Sequence, residues 1–169
     1  DMAQLAINGG KPFRTQLFPA YNTIGEEEKS AVMKVLDSGN LSQFLGAWHK
    51  DFYGGHTVQQ FEKDWATTFG SKYAISVNSN TSGLFTAIGA CGIKAGDEVI
   101  VPTFTFAATA NSVALTGATP IFVDVDPLTF NMNPTGIVAA ISAKTKAIQV
   151  VHLYGLPAAM DDILKIARE

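Results

Sequence analysis

Three consecutive residues at the start of an expected helix have side chains and backbone groups that suit anion binding. Asn80, Thr81 and Ser82 follow the apolar run 73–77, which is typical of a buried strand, and precede the helical stretch 84–90. All three are residue types that begin helices. The first turn of a helix has unpaired N–H groups and a positive dipole end, so this junction predicts a phosphate site. Taken alone, an ordinary capped helix with nothing bound accounts for the same residues.

The hydrophobic pattern around this junction predicts strands that alternate with helices. The expected strands are 73–77, 98–101, 121–125 and 147–153, and the expected helices are 23–37, 57–69, 81–91, 104–115, 134–141 and 158–168. This alternation is typical of a parallel, doubly wound α/β sheet, whose ligands bind beyond the carboxyl ends of the strands. That edge would carry a helix start of the phosphate-binding type, an aromatic ring, carboxylates and an imidazole, from residues 78–82, 102–106, 124–126 and 152–155.

Composition excludes several other classes of protein. The chain has 169 residues, 47% of them hydrophobic and 16% charged, which suits one globular domain and not a disordered segment. A net charge of −3 without a Lys/Arg cluster argues against nucleic-acid binding. No apolar run approaches the ~18 residues of a membrane span, and no signal peptide is visible, so we expect a cytoplasmic protein without membrane contact. The spacing of the histidines matches no metal motif, so we expect no metal site.

The single cysteine, Cys91, excludes an internal disulfide and suits a reducing compartment. Because it falls in an apolar helical stretch, we expect it to be a small core residue. The sequence contains neither G-x-G-x-x-G nor a Walker A motif, which argues against the usual dinucleotide and nucleoside triphosphate sites.

The first 72 residues differ in character from the rest. Residues 1–22 are expected to be an extended arm, and 23–72 to contain two helices joined by the aromatic loop 41–56. We expect this loop to cover a pocket or a partner subunit, although packing on its own core explains its composition equally well. The second helix has an apolar stripe that we expect to belong to the core, formed by Val58, Phe61, Trp65 and Phe69.

A series of short motifs runs along the chain in a fixed order. These are the segments 61–63, 70–74, 79–82, 96–102, 104–106, 117–120, 123–126 and 151–155. Together they resemble the N-terminal part of the DegT-type sugar aminotransferases, pyridoxal 5'-phosphate (PLP) enzymes of the aspartate aminotransferase fold. The resemblance covers nearly all of residues 20–169. It implies that 73–169 is the first part of a three-layer, mostly parallel large domain, incomplete here and without the small C-terminal domain.

The resemblance also implies roles for individual residues. Thr81 and Ser82 would hold the cofactor phosphate, with Asn80 where the family often has glycine. Phe106 would lie against the pyridine ring, where a flat side chain orients the cofactor and excludes water. His152 would lie near the site without an assigned role, and a structural histidine explains it equally well.

The catalytic lysine of the family has no counterpart in this chain. None of the lysines stands in the sequence context of the Schiff-base lysine, so we expect no catalytic residue here and an inactive isolated chain. The parent protein would be a homodimer that transfers an amino group from glutamate or glutamine to a keto-sugar nucleotide or keto-cyclitol. Two alternatives are a non-catalytic protein of the same fold that binds a ligand or caps a partner, and a different PLP reaction such as dehydration.

Overall fold

The computed structural model describes residues 4–44 and 46–169. The chain divides into two compact units, Asp1–Ala74 and Ile75–Glu169. Leu45, which falls inside the expected aromatic loop, lies outside the described residues, as do residues 1–3 of the expected arm.

The described part of the first unit contains a 3-10 turn, Ala6–Asn8, and two α-helices, α1 (Glu26–Asp37) and α2 (His56–Phe69). At the start of α1 the Glu28 carboxylate accepts a 2.7 Å hydrogen bond from the Gly25 N–H group, which closes the first turn. This bond lowers the pKa of Glu28 from its ordinary value. Helix α2 ends at Gly70, whose φ of 64° is the left-handed conformation that glycine adopts freely. Both helices confirm the predictions made from the apolar period.

The apolar stripe of α2 is not buried, which corrects the expectation that it belongs to the core. Phe61, Trp65 and Phe69 are all exposed, and neither α1 nor α2 contains a buried residue. The rings contact one another instead, with centroids 5.8 Å apart for Phe61–Trp65 and 4.6 Å apart for Trp65–Phe69. A 3.6-residue period predicts a helix with an apolar face, but it does not determine what covers that face.

The second unit is built on a parallel three-stranded sheet. Its strands are β1 (Glu98–Pro102), β2 (Thr119–Val123) and β3 (Thr145–Ile148), in the spatial order β2-β1-β3. Ile100 at the centre of β1 is opposite Ile121 of β2 and Ile148 of β3. Val99, Ile100 and Val101 are all 0% exposed, as expected for a central parallel strand that is covered on both faces.

Helices cover both faces of this sheet. They are α3 (Asn80–Ala90), α4 (Ala108–Ala114), α5 (Pro134–Ala140) and α6 (Met160–Arg168). One buried cluster consists of Ile88, Ile93, Val99, Val101, Val113 and Ala118. The other consists of Ile100, Val123, Met132, Ile137, Ala158 and Ile163. Because successive residues of β1 belong to different clusters, the unit has three layers, and the predicted doubly wound α/β fold is confirmed.

The segment 73–77, expected to be the first strand, forms no strand in the described structure. Its apolar side chains Tyr73, Ile75 and Val77 are exposed. The composition suits a strand, but a strand forms only where a neighbour supplies ladder hydrogen bonds, and the sheet of the described residues consists of β2, β1 and β3 alone. A local pattern carries no information about that neighbour.

Three smaller expectations also need correction. The strand expected at 147–153 ends at Ile148 and is followed by a single turn of 3-10 helix, Leu153–Gly155. The helix expected from residue 104 begins only at Ala108, after an irregular turn. Cys91 is exposed just after α3 and is not a core residue.

Helix α5 approaches β2 so closely that it requires a glycine. A Cβ atom at Gly136 would lie 2.6 Å from Cγ1 of Val123, a side chain that is only 4% exposed. Gly89 in α3 offers a comparison, because a Cβ atom there would meet no atom within 4 Å.

These two glycines should respond oppositely to alanine. We expect Gly136→Ala to destabilise the protein by about 1–2 kcal/mol, since overpacking outweighs the gain in helix propensity of about 1 kcal/mol. Gly89→Ala should stabilise it by about 0.5–1 kcal/mol through propensity alone. Urea denaturation of the two variants measures both changes. Equal stability of the two variants would contradict the close packing of α5 on β2.

Candidate functional site

A cavity lies within the second unit where the chain leaves β1 and β3. Its volume is about 510 Å³, which is within the usual range for small-molecule sites. The lining residues are Asn80, Thr81, Leu84, Thr105, Phe106, Ala108, Thr109, Gln149, Val150, Val151, His152, Leu153 and Tyr154. The first turn of α3 and the segments after β1 and β3 therefore meet at the carboxyl-terminal edge of the sheet, where ligands of this fold bind.

The first turn of α3 leaves two amides free for a ligand. Ser79 is the N-cap: its Oγ accepts from the Ser82 N–H group at 3.2 Å and its carbonyl accepts from the Gly83 N–H group at 3.1 Å. Within the described residues, the N–H groups of Asn80 and Thr81 have no partner. These are also the two residues of the turn that line the cavity.

Ser82 is engaged inside the turn and does not line the cavity. Its hydroxyl donates to Oδ1 of Asn78 at 2.6 Å and lies 3.1 Å from Oγ of Ser79. The structure therefore places Asn80 and Thr81 towards the cavity and uses Ser82 to fix the shape of the turn. Sequence reasoning overlooked Ser79 as the cap, although serine is among the residue types preferred at the N-cap position.

Phe106 presents an aromatic ring to the cavity. It lies in the turn between β1 and α4 and its side chain is 80% exposed. The turn is held by the Thr109 N–H group, which donates to the Phe106 carbonyl at 3.0 Å, and by a 2.8 Å contact between the hydroxyls of Thr105 and Thr109. An exposed ring on a fixed backbone offers an apolar face against which a flat ligand can lie.

His152 also lines the cavity, and its tautomer follows from its partner. Nδ1 accepts a 3.1 Å hydrogen bond from the Ala158 N–H group, so the neutral ring carries its proton on Nε2. The structure thus brings together four of the residues expected from sequence, Asn80, Thr81, Phe106 and His152.

Two further polar residues were missed in the sequence. Gln149 lines the cavity, and its Nε2 lies 3.3 Å from Oγ of the buried Ser112. Asn131 is 4% exposed and accepts a 3.0 Å hydrogen bond at Oδ1 from the Leu153 N–H group in the cavity wall. The only sequence signal for Asn131 is that it is a lone amide between Phe130 and Met132.

The carboxylates expected at this edge lie outside the cavity. Asp126 accepts 2.9 Å hydrogen bonds from the N–H groups of Thr129 and Leu128, and these bonds hold the pKa of its carboxyl below the ordinary value. Asp124 lies 3.5 Å from the Thr103 hydroxyl. Both acids therefore stabilise chain connections. The described residues contain no cluster of three side chains able to hold a metal ion, and no helix among them is long and apolar enough to cross a membrane.

Comparisons with known proteins define the class and then the family. The fold is that of the PLP-dependent aminotransferases of fold type I. The structure of 3-amino-5-hydroxybenzoic acid synthase superposes with a TM-score of 0.82 and is 33% identical in sequence. The match covers 92% of this chain and 38% of the synthase chain. NtdA of Bacillus subtilis, solved with bound PMP, superposes with a TM-score of 0.73 at 36% identity over 85% of this chain and 30% of its own. The chain belongs to the DegT/DnrJ/EryC1/StrS aminotransferase family, whose model matches residues 22–169.

Two curated relatives show how much of a family member this chain represents. GDP-perosamine synthase of Caulobacter vibrioides is 50% identical over 114 residues, which are 68% of this chain and 31% of the relative. L-glutamine:scyllo-inosose aminotransferase of Streptomyces griseus is 36% identical over 166 residues, which are 98% of this chain and 38% of the relative. The chain therefore spans about a third of the length of these curated relatives.

Proposed function

We propose that the protein containing this chain is a PLP-dependent aminotransferase that transfers an amino group from glutamate or glutamine to a keto-sugar nucleotide or a keto-cyclitol. The observation that carries this proposal is that Asn80 and Thr81, whose amides have no partner within the described residues, line the same cavity as the exposed Phe106. Family membership supports the reaction class. The names of the two relatives, a GDP-perosamine synthase and a glutamine-dependent inosose aminotransferase, support the two substrate classes.

The residues of the cavity fit the two ends of PLP. The amides of Asn80 and Thr81, the Thr81 hydroxyl and the positive end of α3 would hold the phosphate. Phe106 would lie against the ring and keep water from one of its faces. When bound, the cofactor supplies the electron sink that amino transfer requires.

The other lining residues have supporting roles in this proposal. Ser82 and Ser79 stabilise the turn that contains the two amides. His152 holds a proton on Nε2, which makes it a hydrogen-bond donor towards a ligand in the cavity while its Nδ1 remains bonded to Ala158.

The nucleophile of the reaction is not among the residues that line the described cavity. None of those residues is a lysine or an arginine, so the phosphate charge is met here only by amides, a hydroxyl and the helix dipole. We therefore assign the Schiff-base lysine to a part of the longer protein outside this sequence. The length of the relatives supports this assignment.

A proline substitution tests the phosphate site by removing one amide. Asn80 is the first residue of α3, where proline is tolerated, and Ser79 before it has the extended backbone that a following proline requires (φ −159°, ψ 157°). In the full-length protein we expect Asn80→Pro to raise the Kd for PLP about tenfold or more, because a charge-assisted hydrogen bond is lost. Spectrophotometric titration of the apoprotein measures this change.

The matched control is Asn80→Ala, which removes the side chain and keeps the amide. We expect it to bind PLP much as the parent does, and inorganic phosphate should compete with PLP in the parent and in the alanine variant. Equal affinity of the proline and alanine variants would place the phosphate elsewhere. Failure of the parent to bind PLP at all would contradict the proposed function itself.

We also propose that the protein is a homodimer in the cytoplasm. Its first unit exposes more aromatic surface than a monomer normally does, including Trp48, Phe61, Trp65 and Phe69. The one cysteine, Cys91, is free, which suits a reducing compartment.

Light scattering coupled to size-exclusion chromatography tests the dimer. We expect twice the monomer mass for the full-length protein, and a shift towards monomer in the variant Trp65→Glu, which places a charge on the exposed face of α2. A full-length parent that remains monomeric at high concentration would contradict the proposed dimer.

A further inference from the structure

The wall of the cavity that follows β3 has an unusual backbone. It contains His152, Leu153 and Tyr154, which are joined by only a single 3-10 turn. Tyr154 has a φ of 51° and a ψ of 28°, a left-handed conformation that bulky residues rarely adopt. Its side chain is nevertheless 90% exposed, so no packing of the ring explains the conformation. Something other than the ring of Tyr154 must hold this turn.

Asn131 holds the turn from both sides of Tyr154. Its Oδ1 accepts from the Leu153 N–H group at 3.0 Å, and its Nδ2 donates to the carbonyls of Leu156 at 3.0 Å and Pro157 at 3.4 Å. The side chain is almost fully buried, so these three bonds form away from competing water.

Asn131 is itself fixed by a second left-handed residue. Phe130 has a φ of 57°, and Phe130 and Tyr154 are the two non-glycine residues with positive φ in the described chain. The carbonyl of Asp126 accepts from the Phe130 N–H group at 2.8 Å, and the Asp126 N–H group donates to the Asn131 carbonyl at 2.9 Å. The connection after β2 therefore directs the Asn131 side chain inward. The hydrogen bonds of this side chain link the connection that contains Phe130 to the one that contains Tyr154.

We propose that Asn131 is a positioning residue that fixes the His152–Tyr154 wall of the cavity and thereby sets how tightly the site holds the organic part of its ligand. This inference rests on the proposed function. Asn131 is not among the residues that line the cavity, so it acts through the backbone of Leu153 and its neighbours. Among the described residues, no hydrogen bond joins the amides at the start of α3, which would hold the phosphate, to Asn131 or its partners.

The test uses the separation between the amides at the start of α3 and the His152–Tyr154 wall. In the full-length protein, Asn131→Asp keeps an oxygen that can accept from Leu153 but replaces the donor to Leu156 and Pro157 with an acceptor. We expect the Kd for pyridoxamine 5'-phosphate, which forms no covalent bond with a lysine, to rise about tenfold because buried carbonyls lose their donor. The Kd for inorganic phosphate should be unchanged. Asn131→Ala removes the donor and the acceptor without adding a charge, and it should likewise raise the Kd for pyridoxamine 5'-phosphate and leave the Kd for inorganic phosphate unchanged.

Asn133→Ala is the matched control. Asn133 lies two residues further along, and its Oδ1 caps α5 by accepting from the Thr135 N–H group at 3.0 Å. This variant should lower the thermal stability as the Asn131 variants do, yet leave the affinity for pyridoxamine 5'-phosphate unchanged. An equal loss of affinity in this control, or parent-like affinity in both Asn131 variants, would overturn the positioning role.

Hydrogen exchange provides a measurement that does not depend on the folding of the variants. In the parent, the Leu153 amide should become more protected when pyridoxamine 5'-phosphate binds, because the ligand packs on the wall that this amide anchors. An unchanged exchange rate would overturn the positioning role alone. A parent that binds neither pyridoxamine 5'-phosphate nor PLP would overturn the proposed function and this inference with it.

Discussion

Burial of β1 on both faces is the constraint on which the second unit depends. Val99 and Val101 face one helical layer and Ile100 faces the other, all without exposed surface. Each such side chain contributes about 1.5–3 kcal/mol of transfer free energy. Both neighbours of this strand are parallel to it and are reached through crossover helices, so the carboxyl ends of β1 and β3 meet at one edge. The cavity exists because these ends converge there.

The site combines one local element with one that depends on distant residues. The turn from Ser79 to Ser82 is stabilised by hydrogen bonds between residues at most four apart, so its geometry is encoded almost entirely by its own sequence. The wall after β3 depends instead on Asn131, more than twenty positions earlier in the chain. A PLP molecule bound as proposed would have its phosphate at the turn from Ser79 to Ser82 and its ring near the wall after β3, which Asn131 fixes.

This difference explains what could be predicted from the sequence. The six helices and three of the four expected strands were predicted correctly because each depends on a pattern within one segment. The edge that carries Asn80, Thr81, Phe106 and His152 followed from the topological rule for parallel sheets. The strand expected at 73–77 could not be decided, because strand formation depends on a neighbour. The role of Asn131 could not be predicted either, since its three partners lie in a loop that has no regular pattern of its own.

The central claim is that the amides of Asn80 and Thr81 hold the phosphate of PLP while Phe106 lies against its ring. A crystal structure of the full-length protein with bound PLP tests this most directly. We expect phosphate oxygens about 2.7–3.1 Å from both amide nitrogens and the pyridine ring against the face of Phe106. A phosphate bound by other groups, with these two amides facing water, would contradict it.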